Sequence, residues 1–188
     1  MSLAQPKRIL IIKLRHHGDV LLSTPVVDAL KTRFPDCEID MLVYAGTGQL
    51  IADNPQIAQI FTIDRNWKKL GVFKQLACEK NLFSKLKARD YDWAFNLSDQ
   101  WRAAVIAKLC ARCSVGFDCI KRDGFWWRFC HDFINHELDT SHHIVENQLN
   151  ILAPLIQPED VADAKVRLWV AQDARESMRQ KLREQGWN

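Results

Sequence analysis

The chain has 188 residues, 47% hydrophobic and 26% charged, a balance that excludes wholesale disorder and suits one sizeable core better than two complete ones. A formal net charge of +3 is too small to imply a nucleic-acid partner, although it permits a local basic surface. No apolar run reaches the roughly 18–20 residues that span a bilayer, and residues 1–8 lead into the first strand without a signal-type hydrophobic region, which predicts a cytoplasmic protein.

Ile9, Leu10, Ile11 and Ile12 form an aliphatic run that reads as a parallel strand buried on both faces. The polar stretch Leu14-Arg15-His16-His17-Gly18-Asp19 follows, with Gly18 suited to a tight turn. Helical periodicity begins near Thr24, where Ser23 or Thr24 fits the cap and Pro25 the first turn. In an open α/β sheet, ligands bind at the carboxyl ends of strands, so Asp19 stands where chemistry is expected.

Pro35-Asp36 ends that helix, and residues 37–44 read as a second strand. The following Gly46-Thr47-Gly48 lacks the full dinucleotide-binding fingerprint and follows the wrong strand for it. A third strand ends at Asp64-Arg65, which places these residues at the same sheet edge as Asp19. Residues 67–89 read as a basic amphipathic helix with Leu70, Phe73, Leu76, Ala77, Phe83 and Leu86 as its apolar stripe. Its lysines fit a solvated face, or a surface that meets a phosphate-rich substrate or anionic lipid.

Residues 91–97 are a fourth strand, followed by Ser98-Asp99 and a helix at 101–111. Capping of that helix is the favoured role for Asp99, with a sugar hydroxyl as the alternative partner. A fifth strand covers 113–117, and the βα alternation predicts a parallel sheet covered by helices on both faces. Residues 121–135 mix aromatics with Lys121, Arg122, Arg128 and His131, which fits a lipid interface or a packed flap. A helix after His142-His143, a strand at 165–170 and an amphipathic helix at 171–185 complete the chain. The two adjacent histidines point in different directions on a helix and make a poor metal pair. The last helix reads as the crossing from a domain at 1–170 into a missing C-terminal domain, of which 171–188 is the start.

Six cysteines include a single CxxC, Cys110 to Cys113, without a second to complete a zinc site, so reduced thiols are expected. No HExxH, Walker loop or GxSxG elbow occurs. A lone aspartate beside a helix start, where amide dipoles favour the carboxylate, suits a general base better than a paired-carboxylate hydrolase.

The runs ILIIKLRHHGDVLLSTPVVDALK, FPDCEIDMLVY, NPQIAQIFTIDR, YDWAFNLSDQW and HHIVENQLNIL, in this order, resemble the lipopolysaccharide core heptosyltransferases of glycosyltransferase family 9. The resemblance covers essentially the whole chain and is strongest to the members that add the side-branch heptose of the inner core. It implies the N-terminal, Rossmann-like, acceptor-binding half of a GT-B enzyme, with ADP-heptose as donor and no metal or other cofactor. Asp19 would then be the catalytic base, removing the proton of an acceptor heptose hydroxyl as it displaces ADP with inversion. Lys13, Arg15, His16, His17, Gly18 and Asp99 become acceptor-binding candidates, with Arg65, Lys68, Lys69, Arg122 and Arg128 for core phosphate or acidic sugars. His16 and His17 replace small polar residues of many relatives, which implies a different acceptor specificity. The implied partners are the lipopolysaccharide inner core, the missing donor domain and an anionic inner-membrane surface, contacted weakly from the cytoplasmic side. This chain alone would then be inactive. Another nucleotide-sugar transferase and a noncatalytic sugar-binding module remain the alternatives.

Overall fold

The aliphatic run near the N-terminus forms β1 (Arg8–Lys13), whose isoleucines and leucine are fully buried because helices cover both faces of the sheet. The computed structural model describes residues 5–118, 124–135, 142–157, 161 and 163–187. After β1 come α1 (His17–Leu21), α2 (Thr24–Arg33), β2 (Glu38–Tyr44), β3 (Gln59–Ile63), α3 (Val72–Lys87) and β4 (Tyr91–Asn96). Then follow α4 (Trp101–Cys110), β5 (Ala111–Phe117), α5 (Phe125–Phe129), β6 (Phe133–Asn135), α6 (Ile144–Asn150) and α7 (Gln172–Glu184). Short 3-10 turns occupy Thr47–Ile51 and Arg65–Lys69.

Every strand pairing is parallel, and the order is β3-β2-β1-β4-β5-β6. The connections reverse direction between β1 and β4, which opens a crevice beyond the carboxyl ends of those two strands. Alternation along β1 divides the core. Ile9 and Ile11 pack with Val26, Val27 and Leu30 of α2, whereas Leu10 and Ile12 pack with Leu82 and Leu86 of α3 and with Ala103 and Ala107 of α4.

One ionic cluster lies within this sheet. Asp40 of β2 is fully buried and accepts hydrogen bonds from Arg89 Nε at 2.7 Å, Arg89 Nη2 at 3.2 Å and the Tyr91 hydroxyl at 2.7 Å. Arg89 Nη2 also donates to Glu38 at 2.7 Å. Burial and the Asp40 carboxylate both push the Tyr91 phenol far above its ordinary range.

The structure departs from the sequence reading in three elements. Only the C-terminal part of the stripe expected along residues 67–89, Phe83 and Leu86, faces the core: Phe73 is 89% exposed, and Leu70, Leu76 and Ala77 are also exposed. Burial on α3 is confined to Leu82 and Leu86 in its C-terminal half, with Phe83 packed beside them. Residues 165–170 form no strand. They run over α2 instead, where Lys165 N donates to Asp28 at 3.3 Å and Arg167 N to Thr24 Oγ1 at 3.3 Å. The aromatic segment supplies a strand, β6, as well as the short helix α5. Of its basic residues, Lys121 and Arg122 lie outside the described residues.

The described cysteines are free, and burial pushes the thiols of Cys37, Cys110 and Cys113 up to about 11, which keeps them protonated at neutral pH. Among the described residues no helix is long and apolar enough to cross a membrane.

Candidate active site

The crevice between β1 and β4 is held open by a backbone lattice centred on Ser98. Its hydroxyl accepts from Leu14 N at 2.7 Å, its own N–H donates to Asn96 Oδ1 at 3.0 Å, and Leu97 N donates to Ile12 O at 2.9 Å. Gln100 Nε2 adds a bond to Leu14 O at 2.9 Å. Ser98 therefore joins the two loops and is not a helix cap. Neither is Asp99: α4 begins after Gln100 without a side-chain cap, and Asp99 pairs with Arg15 at 3.0 Å. The guanidinium partner, 84 residues away in sequence, outcompetes the nearby amides.

This lattice frames a cavity of about 320 Å³ lined by Lys13, Arg15, Asp19, Ser98, Asp99, Trp127, Asn147 and Gln148 among others. Asp19 comes from the first turn of α1, and no hydrogen bond or ion pair from its carboxylate occurs among the described residues. The helix starts earlier than the sequence suggested, so Gly18 lies inside α1 without left-handed backbone, and a Cβ there would meet nothing within 4 Å. His17, the first residue of α1, is exposed.

Lys13 is buried at the end of β1, with Nζ donating to Leu97 O at 3.2 Å. Desolvation pulls its pKa down to about 8, the charges of Asp19 and Asp99 oppose that shift, and Arg15 adds to it. An unfolded lysine holds its proton up to about pH 10.4. The folded chain thus binds fewer protons between these values, and stability rises with pH from about 8 to that limit. Lys13→Met is expected to stabilise the fold at pH 7 by about 1–3 kcal/mol and to flatten that rise. Urea unfolding at about pH 7 and about pH 9.5 measures both effects, and a less stable variant at pH 7 would contradict the assignment.

Gln148 of α6 was not singled out by sequence. It is 1% exposed, lines the cavity, and neither the nitrogen nor the oxygen of its side-chain amide has a hydrogen-bond partner among the described residues. A buried carboxamide without partners costs about 1–3 kcal/mol unless a ligand meets it. Nothing in the local pattern distinguishes it from an ordinary helix residue. Trp127 forms the opposite wall, its indole N–H bonded to Phe117 O at 2.9 Å and its ring edge-on to Trp101 at 5.7 Å. Behind it, His131 Nδ1 donates to Trp127 O at 3.0 Å, so Nε2 accepts from Asn96 Nδ2 at 3.1 Å. Burial lowers the His131 pKa, in keeping with this neutral imidazole. The ring packs flush on Gly116, where a Cβ would come within 2.4 Å of it.

A second cavity of about 330 Å³ shares Arg15 with the first and adds His16, Tyr44, Arg65, Lys68, Gln100 and Arg102. Arg65 lies over the Tyr44 ring at 4.1 Å, and the Tyr44 hydroxyl donates to Gln100 Oε1 at 2.6 Å. Arg15 and Arg102 are paired with Asp99 and Glu79, whereas Arg65 and Lys68 have no carboxylate partner among the described residues and favour an anion there. Arg65 therefore stands in this basic cavity and not beside Asp19. Arg128 is exposed on α5 and lines neither cavity, whereas its neighbour Trp127 lines the first. Arg122 lies outside the described residues. Among the described residues no group of three His, Cys, Asp or Glu side chains is arranged to hold a metal ion.

A parallel Rossmann-like sheet with its crevice at the β1/β4 switch point is the architecture of the N-terminal half of a GT-B glycosyltransferase. The chain belongs to glycosyltransferase family 9 (heptosyltransferase), whose sequence profile matches residues 80–186. It is 34% identical to lipopolysaccharide heptosyltransferase 3 of Escherichia coli K12 over 172 residues, 90% of this chain and 48% of that protein. Among solved structures, a family 9 glycosyltransferase from Veillonella parvula superposes with a TM-score of 0.78 at 20% identity, covering 100% of this chain and 51% of that one. The E. coli heptosyltransferase WaaC, in complex with ADP-2-deoxy-2-fluoro heptose, gives 0.69 at 21% identity, over 78% of this chain and 47% of that one. The chain thus spans about half the length of these relatives.

Proposed function

We propose that this chain is the acceptor-binding part of an inverting transferase that moves heptose from ADP-heptose to a heptose of the lipopolysaccharide inner core. The observation that carries this reading is Asp19, whose carboxylate lacks a hydrogen-bond partner among the described residues and faces the switch-point cavity beside Lys13 and Gln148. Asp19 accepts the proton of an acceptor hydroxyl, the oxygen bonds to the anomeric carbon of the donor, and the bond from that carbon to the diphosphate oxygen breaks with release of ADP. A single displacement inverts the anomeric centre. Lys13, Arg15, Gly18 and Asp99 border the acceptor, and His16, Arg65 and Lys68 form an anionic-group subsite beside it. Residues 1–170 are assigned to acceptor binding and 171–188 to the start of a crossing toward donor-binding residues, in accord with relatives of about twice this length. Attachment is peripheral, on the cytoplasmic face of the inner membrane.

The test is transfer from ADP-heptose to purified inner-core lipopolysaccharide, by this chain and by a version extended to the length of its relatives. Transfer by the extended protein alone supports the reading. Transfer only from a different nucleotide sugar identifies another donor, and sugar binding without transfer identifies a noncatalytic module.

Gln148 supplies a sharper check on the acceptor cavity. Its carboxamide presents an NH2 donor beside an acceptor oxygen, the pattern that meets adjacent hydroxyls of a sugar. Gln148→Leu in the extended enzyme is expected to raise the acceptor KM by about 10-fold or more, with unchanged donor KM and equal or greater thermal stability. A variant with unaltered acceptor KM removes Gln148 from the acceptor site.

A further inference from the structure

The basic helix leaves an unusual surface. From Arg65 to Lys87 the chain carries Lys68, Lys69, Lys74, Lys80, Lys85 and the two terminal bases against one acid, Glu79, a net +6 in a chain whose total is +3. All of these lysines are exposed, and none has a carboxylate partner among the described residues. The same segment exposes large apolar side chains, Val72 at 70% and Phe73 at 89%. On the neighbouring α4, Trp101, Val105 and Leu109 recur every four residues and are exposed as well. Between the two helices runs an apolar groove of about 550 Å³, bordered by Lys80 and by the ion pair of Arg102 with Glu79.

We infer that the α3–α4 face lies on an anionic lipid bilayer, with the first turn of α3 inserted among the headgroups. An occupant of this face must be both apolar and negatively charged. A second copy docked about a two-fold axis would set this cationic segment against its own like charges, which opposes self-association. An anionic bilayer supplies both properties: acyl chains for Phe73, Leu76 and the groove, phosphates for the lysines around them. The placement deepens the proposed function and rests on it in one respect. Arg102 borders both the groove and the second cavity, so anionic groups of a lipid-anchored acceptor would reach that cavity directly from the membrane plane.

Vesicle cosedimentation of the full-length protein tests the surface, with phosphatidylglycerol–phosphatidylethanolamine vesicles beside phosphatidylcholine vesicles at low and high salt. Binding is expected on the anionic vesicles at low salt. The Phe73→Ser/Leu76→Ser and Lys74→Gln/Lys80→Gln variants should each lose about 10-fold in partition with unchanged melting temperature, since all four side chains are exposed. Trp126→Ser on α5 and Met178→Ser on α7, both exposed, are expected to keep most binding. Unchanged partition in the two double variants, equal binding to neutral vesicles, or a dimer that Phe73→Ser dissolves would overturn the assignment. Transfer to a deacylated, soluble core acceptor is expected to survive in both double variants. Its absence from the unsubstituted protein counts against the transferase reading and leaves the vesicle result to decide the surface independently.

Discussion

Asp19→Asn in the extended enzyme is expected to reduce heptose transfer by about 10²–10⁴-fold while leaving fold and acceptor affinity intact. The physical basis is the isolation of this side chain. Asp19 is half-buried in the first turn of α1 and holds no hydrogen bond or ion pair among the described residues, so the amide removes a proton acceptor without breaking a structural contact. Asparagine has nearly the same shape and can still border the cavity, but it cannot take a proton from the attacking hydroxyl. The loss should therefore fall on kcat, with acceptor KM nearly unchanged. Steady-state kinetics with ADP-heptose, together with thermal melts of both proteins, measure this. Retention of most turnover would remove Asp19 from the role of base.

The second large effect concerns stability. Arg89→Met is expected to destabilise the fold by about 3–5 kcal/mol, because it strips the bidentate partner from a fully buried carboxylate. The Tyr91 hydroxyl alone then remains to hold Asp40. Glu38, exposed at the rim, keeps Arg8 at 3.0 Å and contributes little to the loss. The triple variant Asp40→Leu/Arg89→Met/Tyr91→Phe should recover most of the difference, since it carries no buried charge and leaves no buried hydroxyl without the acceptor that Asp40 supplied. Urea denaturation of the two variants separates these outcomes. A single variant as stable as the original would show that water reaches Asp40.

The sheet was legible because its strands announce themselves locally. β1, β2, β4 and β5 are runs of aliphatic and aromatic residues bounded by turn residues, and the helices between them fix a parallel order. The place of Asp19 at the crevice, though not its role, was legible for the same reason, through its position after the first strand. What escaped depends on partners distant in sequence. The pairing of Arg15 with Asp99 and of Leu14 N with Ser98 joins loops 84 residues apart, so a cap was the better local guess. The run KVRLWV has strand-like composition, yet it pairs with no strand among the described residues, and its backbone binds the side chains of α2 instead. The stripe on α3 has helical spacing, but spacing cannot tell a core face from an exposed one. Gln148 was invisible for a related reason: only the absence of partners among the described residues distinguishes its amide.

The flush contact of the His131 ring on Gly116 has a consequence for how this wall of the cavity can change over time or by design. Any side chain at 116 displaces the imidazole, and any smaller residue at 131 releases both the Asn96 amide and the Trp127 carbonyl. Positions 96, 116, 127 and 131 therefore form one inheritable unit, in which single steps are penalised and only concerted ones are open. A redesign of the proposed acceptor cavity would do better to leave that unit intact and vary α6, where the Gln148 carboxamide makes no hydrogen bond among the described residues.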